Sequence, residues 1–307
     1  MPHVTSSTLQ TLNQGLQTAF VKGVESVQDL TKELAMEVQS NHAVENYSWV
    51  KQLPVVKEFL TARAFQNTDM VSMAITNKSF EETIEVKYTD VQDDNISQYS
   101  TLMSAMGESL AYHPRSLLFK AIRAGMTTVA VDGQNFFDVD HPSFNDDGTA
   151  ATFSNVTLGV ANAQPWVLLD NSRSFMRPII FQMRERPRVD MVGGAFDDRG
   201  NYIGMTIPFG TWARYNVGLF MPHLAHVSSA ELTADNVYAA MAAMQSIRKQ
   251  DGSFANVSPT HILVAPQDRQ EAEQIFSAAL SVNGGSNTLY NAVKVVVAPE
   301  LAGWTIS

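Results

Sequence analysis

Residues 93–125 read DDNISQYSTLMSAMGESLAYHPRSLLFKAIRAG. Asp93, Asp94 and Asn95 are residue types that accept hydrogen bonds from the free amides at a helix start. Ile96, Tyr99, Met103, Met106 and Leu110 then step along one helical face at three- and four-residue intervals. Pro114 interrupts the pattern, Leu117, Leu118, Ala121 and Ile122 resume it, and Gly125 stops it. A helix of about thirty residues at 1.5 Å rise would be about 45 Å long, longer than most globular helices and suited to act as a spine.

On the N-terminal side of this segment, Leu9, Leu12, Leu16, Phe20, Val24, Val27, Leu30, Leu34 and Val38 recur at helical spacing. The stripe is thin and its start is rich in Ser and Thr, so it reads as an arm that packs onto something else. From Trp49 to Asp94 the pattern changes. Val71, Met73 and Ile75 alternate, as do Ile84, Val86 and Tyr88, with Asn77-Lys78-Ser79 between them. Two alternating runs around a turn cluster predict a β-hairpin, here with little apolar sequence around it to support it.

On the C-terminal side come the loop-rich Asp132-Gly133-Gln134-Asn135-Phe136-Phe137-Asp138-Val139-Asp140-His141-Pro142 and Asn145-Asp146-Asp147-Gly148. From about residue 165 the chain reads as mixed α and β. Strands are expected at Trp166–Leu169, 178–183, 202–207, 261–265 and 293–298. Thr233 is expected to cap a helix that presents Val237, Met241 and Met244 on one face and ends at Gly252, and a second helix is expected over 268–280. The final strand, helix, strand order suggests one βαβ unit. No internal repeat or low-complexity tract is apparent.

Composition bounds the function. The chain has 307 residues, 45% of them hydrophobic, with 21 Lys+Arg against 31 Asp+Glu, a formal charge of −10, and no cysteine. Without Cys there is no disulfide, thiolate zinc site or thiol nucleophile, which fits a reducing compartment. No apolar run reaches the roughly 18 residues of a membrane span, and Met1-Pro2-His3-Val4-Thr5-Ser6-Ser7 lacks the regions of a signal peptide. The length suggests about two domains, or one large one with extensions. The densest positive stretch, Arg173, Arg177, Arg184, Arg186 and Arg188, is broken by Pro178, Pro187 and an Ile179-Ile180-Phe181 run, and reads as a strand with flanking surface arginines rather than a nucleic-acid groove.

Motifs for chemistry are sparse. Asp138, Asp140 and His141 form one candidate metal constellation, since carboxylates beside an imidazole can hold Zn²⁺, Mn²⁺ or Fe²⁺. Three such residues before Pro142 also describe a hydrogen-bonded turn. His223 and His226 are three apart but lack the carboxylate of a zincin motif, and His3, His42, His113 and His261 have no pairing. Gly193-Gly194 and Gly284-Gly285 fit no phosphate-loop pattern and read as turns, as does Asp197-Asp198-Arg199-Gly200. Met241 and Met244 read as core. The sequence therefore assigns no catalytic, cofactor-binding or metal-ligating residue. The chain is read as no enzyme, with no cofactor.

A set of short segments, in order, carries a more specific signal. These are Trp49-Val50-Lys51-Gln52-Leu53-Pro54 with Lys57-Glu58-Phe59; Ile75-Thr76-Asn77-Lys78-Ser79-Phe80-Glu81 with Thr83-Ile84-Glu85-Val86; and Asp93-Asp94 before the long helix. Further along are Asp132-Gly133-Gln134-Asn135-Phe136-Phe137 with Asp140-His141-Pro142, and Trp166 with Leu168-Leu169-Asp170. The last are Pro178-Ile179-Ile180-Phe181-Gln182-Met183-Arg184, Gly210-Thr211-Trp212-Ala213-Arg214-Tyr215-Asn216, and Leu232-Thr233 leading to Asp251-Gly252 and Pro259-Thr260. Together they resemble the Mu-like phage major head subunit (gpT-type) family, the major capsid proteins of tailed phages.

The resemblance implies an α+β fold of the Hong Kong 97 phage capsid type. Its parts would be an N-terminal arm (1–48), an extended loop and hairpin (49–94), a peripheral domain with the spine helix (95–165), and a mainly axial domain (166–307) from which some strands return to the peripheral one. The implied function is a virion protein, made and assembled in the bacterial host cytoplasm. It would self-assemble as pentamers and hexamers into an icosahedral head around double-stranded DNA, without sequence-specific contact and without a membrane. Scaffold, portal and decoration proteins are the implied partners. Some members of the wider fold lock their shells through a Lys–Asn isopeptide bond. Lys51, Lys57 and Lys78 lie in or near the hairpin region, where lysines are ordinarily solvated. Two alternatives stand beside the phage reading: an encapsulin-like nanocompartment shell, and a metal-dependent hydrolase using Asp138, Asp140 and His141.

Overall fold

The computed structural model describes residues 6–50, 70–93, 96–159, 163–192, 204–280 and 285–306. The long helix is present as α4, Ser97–Arg123, 27 residues and about 40 Å long. It runs through Pro114 without a break, because Tyr99, Met103, Met106 and Leu110 before the proline and Leu118, Phe119 and Ile122 after it are all buried. Anchorage of that stripe outweighs the roughly 3 kcal/mol cost of an interior proline. Its start differs from expectation. Ile96 occupies the cap position, and Asp93 closes a separate short helix, α3, Tyr88–Gln92.

The N-terminal stripe divides into three elements: α1, Ser6–Glu25; α2, Leu30–Leu34; and strand β1, Met36–Gln39. Leu9, Leu12, Leu16 and Phe20 of α1 are buried in the same core as the α4 stripe. The segment therefore packs on its own subunit's spine. Helical spacing at Leu34 and Val38 misled because Val38 lies in β1, which pairs in parallel with a later strand.

The hairpin is also built differently. Strand β2, Val44–Val50, pairs antiparallel with β3, Met70–Thr76, in register Val44↔Thr76 to Val50↔Met70. Strand β4, Lys78–Lys87, does not pair with β3. Asn77 is a crossing point between two sheets: Ile75 is buried in one core, whereas Val86, with Phe80 and Ile84 packed beside it, belongs to the other.

After α4 come β5, His141–Phe144; β6, Ala150–Phe153; β7, Val156–Thr157; and β8, Trp166–Leu169. Two long strands follow, β9, Ile179–Met191, and β10, Thr206–Leu219. Of the strand expected at 202–207, residues 202–203 lie outside the described residues, 204–205 are not strand, and only Thr206 and Ile207 fall in β10. The chain ends with β11, Ala225–Ser228; α5, Ala234–Gln245; β12, His261–Val264; α6, Arg269–Phe276; and β13, Lys294–Val297.

One sheet has the order β1-β9-β10-β4, and α1 and α4 cover one of its faces. A second has the order β13-β12-β8-β11-β7. Strand β8 is buried on both faces: Val167 and Leu169 enter the core shared with α1 and α4, while Trp166 and Leu168 enter a second core with α5 and α6. The β12–α6–β13 unit is parallel as expected, but β12 and β11 are antiparallel to β8, so the sheet is mixed. Thr233 caps α5, its Oγ1 accepting from Asn236 N at 3.3 Å. The helix stops at Ser246, and Gly252 (φ +78°) instead serves a tight turn against Asp146. The helix expected over 268–280 spans only the eight residues of α6, which a 3-10 turn at Pro266–Asp268 precedes.

Candidate functional site

The Asp/His stretch does not assemble a metal site. His141 is fully buried, with Nδ1 donating to Asp132 Oδ2 at 2.7 Å and its ring stacked on Phe153. Asp138 Oδ1 accepts from Val139 N at 2.8 Å in a local turn, and Asp140 is exposed. Asp140 is thus at the surface while the adjacent His141 is enclosed. Among the described residues no three His, Asp or Glu side chains are grouped to hold an ion.

The same region is instead a polar joint. Asn155, buried, donates through Nδ2 to Phe136 O at 2.7 Å and Pro222 O at 3.1 Å, and its Oδ1 accepts from Asp138 N at 2.9 Å. His226 Nε2 lies 2.9 Å from Thr157 Oγ1. Burial pushes the His226 ring down to about 4, and burial aided by Arg173 does the same for His223, so both are neutral at pH 7.

A second joint holds the N-terminal segment to the β12–β13 edge. Glu33 Oε1 accepts from Lys294 Nζ at 2.6 Å and from His261 Nε2 at 3.1 Å. Burial opposes ionisation of Glu33, but the Lys294 hydrogen bond and charge, with His261, outweigh it and hold the carboxyl below its usual range. The Arg177 guanidinium donates to the carbonyls of Lys32 and Ala35 at 2.8 Å, satisfying the open end of α2. Sequence reading missed these residues; an arginine immediately before the apolar Pro178-Ile179-Ile180 run was the one available signal.

The β2–β3 hairpin is seated by its base. Glu45 Oε1 accepts from the amides of Asn41 and His42 at 2.7 and 2.9 Å, and Asn77 Nδ2 donates to Ser40 Oγ and His42 O. Tyr47 Oη donates to Gln182 Oε1 at 2.9 Å, and the fully buried Gln182 donates to Ile75 O at 3.3 Å. The lone Gln inside Ile-Ile-Phe-Gln-Met could have marked this seat. Residues 51–69, which join the two strands and hold Lys51 and Lys57, lie outside the described residues, as do Gly193-Gly194, 197–200 and Gly284. Lys78 is exposed at the start of β4.

Among the described residues these elements are held by polar joints and group no three His, Asp or Glu side chains for an ion. Residues 9–301 match the model of the Mu-like prophage major head subunit gpT family. The chain belongs to that family. It is the major capsid protein of a Mu-like phage, with the Hong Kong 97-type capsid fold. The head subunit is 33% identical over 290 residues to the Mu-like prophage FluMu major head subunit of Haemophilus influenzae, covering 93% of this chain and 94% of that one. It is 31% identical over 305 residues to the major capsid protein of Escherichia phage Mu, covering 97% and 99%. Its fold superposes on a subunit of the procapsid of bacteriophage JBD30 with a TM-score of 0.82 at 30% identity, over 96% of this chain and 99% of that one. Membership of this family over nearly the whole chain decides for the phage head over the encapsulin alternative. The hydrolase alternative loses its basis, since Asp138, Asp140 and His141 are not grouped to hold an ion. No helix among the described residues is long and apolar enough to cross a membrane.

Proposed function

We propose that the head subunit assembles as pentamers and hexamers into an icosahedral shell enclosing double-stranded DNA, in the host cytoplasm, as a structural protein without catalysis. The match to the gpT family over residues 9–301 carries this reading. In it, residues 1–48 serve as arm, 49–94 as extended loop, 95–165 with the returning strands β9 and β10 as peripheral domain, and the rest of 166–307 as axial domain. An overall charge of −10 suits a wall that encloses DNA driven in by a separate motor, rather than one that condenses it by charge. Scaffold, portal and decoration proteins are the partners such an assembly takes. Negative-stain microscopy of the purified protein under assembly conditions is expected to show capsomers or closed shells. A protein that stays monomeric under every condition sinks the reading.

A further inference from the structure

The distal half of the first sheet is a three-stranded ribbon with unlike edges. Strand β1 covers β9 only at Ile180–Met183, numbered against Met36–Gln39, so from Arg184 to Met191 the outer side of β9 has no strand partner among the described residues. Strand β4 pairs with β10 along Lys78–Lys87 and has no strand partner on its other side among the described residues. The two free edges are therefore one strand apart, about 10 Å.

Their charges are opposite. The centre of β4, Glu81-Glu82-Thr83-Ile84-Glu85, carries three exposed carboxylates and no cation, and none of the three makes an ion pair among the described residues; Lys78 and Lys87 stand only at its ends. The free stretch of β9 carries Arg184, Arg186 and Arg188, with the side chains of Arg186 and Arg188 69% and 64% exposed. Their neighbouring acids are partly committed: Glu185 accepts from Trp212 Nε1 and Arg214, Glu37 meets Arg186 at 3.1 Å, and Asp190 stands 3.4 Å from Arg188. Glu81, Trp212 and Arg188 lie on one row across the ribbon, acid at one end and base at the other.

The β9 edge is not built to extend the main-chain ladder. Pro187 lacks an amide, and a bulge lies beside it where Arg188 and Glu185 oppose Trp212 and Arg214. Contact through side-chain charge remains open to both edges, and an unlike pair of edges makes a head-to-tail contact that repeats around a ring.

We propose that the acidic edge of β4 in one head subunit docks against the arginine edge of β9 in a second copy. The proposal rests on the shell-forming reading above and names one of its interfaces. The test is a charge swap, scored by shell yield in sedimentation and negative-stain microscopy. E81K/E85K and R186E/R188E are each expected to lower shell yield at least tenfold while circular dichroism remains that of the parent. All four substitutions in one chain exchange the signs of the two edges and are expected to restore the yield to within about threefold. Either reversal assembling at parental yield, or a folded fourfold variant no better than the pairs, overturns the proposal. If a reversed chain does not fold, the neutral pairs E81Q/E85Q and R186Q/R188Q replace it, with loss of yield expected and parental yield overturning. A parent that forms no shells overturns the functional reading together with this interface; a shell-forming parent with indifferent variants overturns the interface alone.

Discussion

His226 shows how one side chain couples the fold to pH. It sits on β11 between two fully buried neighbours, Ala225 and Val227, with Nε2 on Thr157 and a ring held down to about 4. An unfolded histidine titrates near 6.5, so below that value the unfolded chain binds the proton that the folded chain refuses. The stabilising contribution is therefore complete above about pH 6.5 and disappears as pH falls through about 4. Over that window stability is expected to decline with a slope of up to about 1.4 kcal/mol per pH unit from this residue. Urea titrations from pH 7 to 4.5 measure it, and His226→Asn is expected to flatten the slope; an unchanged slope contradicts the assignment. From the sequence, His226 was only a histidine three residues after another. Its partner Thr157 lies 69 positions away, and no local pattern points to it.

Helix packing was legible in part. The stripes of α1 and α4 were both visible as periodicity, but their meeting was not, because two stripes facing each other look the same as two stripes facing other subunits. The contact depends on two glycines. A Cβ on Gly107 would press on the Phe20 carbonyl and stand 3.0 Å from Val24 N, and one on Gly23 would strike the Ser104 backbone. Neither obstacle is a side chain that can rotate away. Gly107→Ala is thus expected to cost about 1–3 kcal/mol through separation of the helices. Gly15→Ala is the control: nothing lies within 4 Å of the added methyl group, and it is expected to stabilise α1 by about 0.5–1 kcal/mol. Chemical denaturation of both variants checks the pair; equal effects of one sign count against a close helix crossing. The misassigned hairpin has a similar cause. Alternation shows which side of a strand is apolar, not which strand lies beside it, so β3 and β4 looked like partners although they serve separate cores.

Closure of the whole subunit depends on contacts between its ends and its middle. Arg115 on α4 makes a two-point bond with Glu300, Nε to Oε1 at 2.7 Å and Nη2 to Oε2 at 3.1 Å, and Gln164 Nε2 holds the Leu301 carbonyl at 2.7 Å. Leu301, Trp304 and Ile306 are buried there against the spine. Glu300→Ala and Arg115→Ala are each expected to destabilise the subunit by about 1–2 kcal/mol, and the double variant by little more than either. A double-mutant cycle with no coupling removes the bond from the account. Apolar periodicity, the absence of cysteine and the ordered segments were enough to establish the spine helix, the buried strand at Trp166–Leu169, the βαβ end of the chain and the family, because each rests on neighbours close in sequence or on segment order. Strand pairing, the seat of the N-terminal helix, the joints at Glu33 and Asn155, and the opposed charges of the two ribbon edges depend on residues brought together from distant positions. For those, burial in a shared core and the hydrogen bonds of particular buried polar groups, such as Asn155 and Gln182, select one arrangement among several that the local pattern permits.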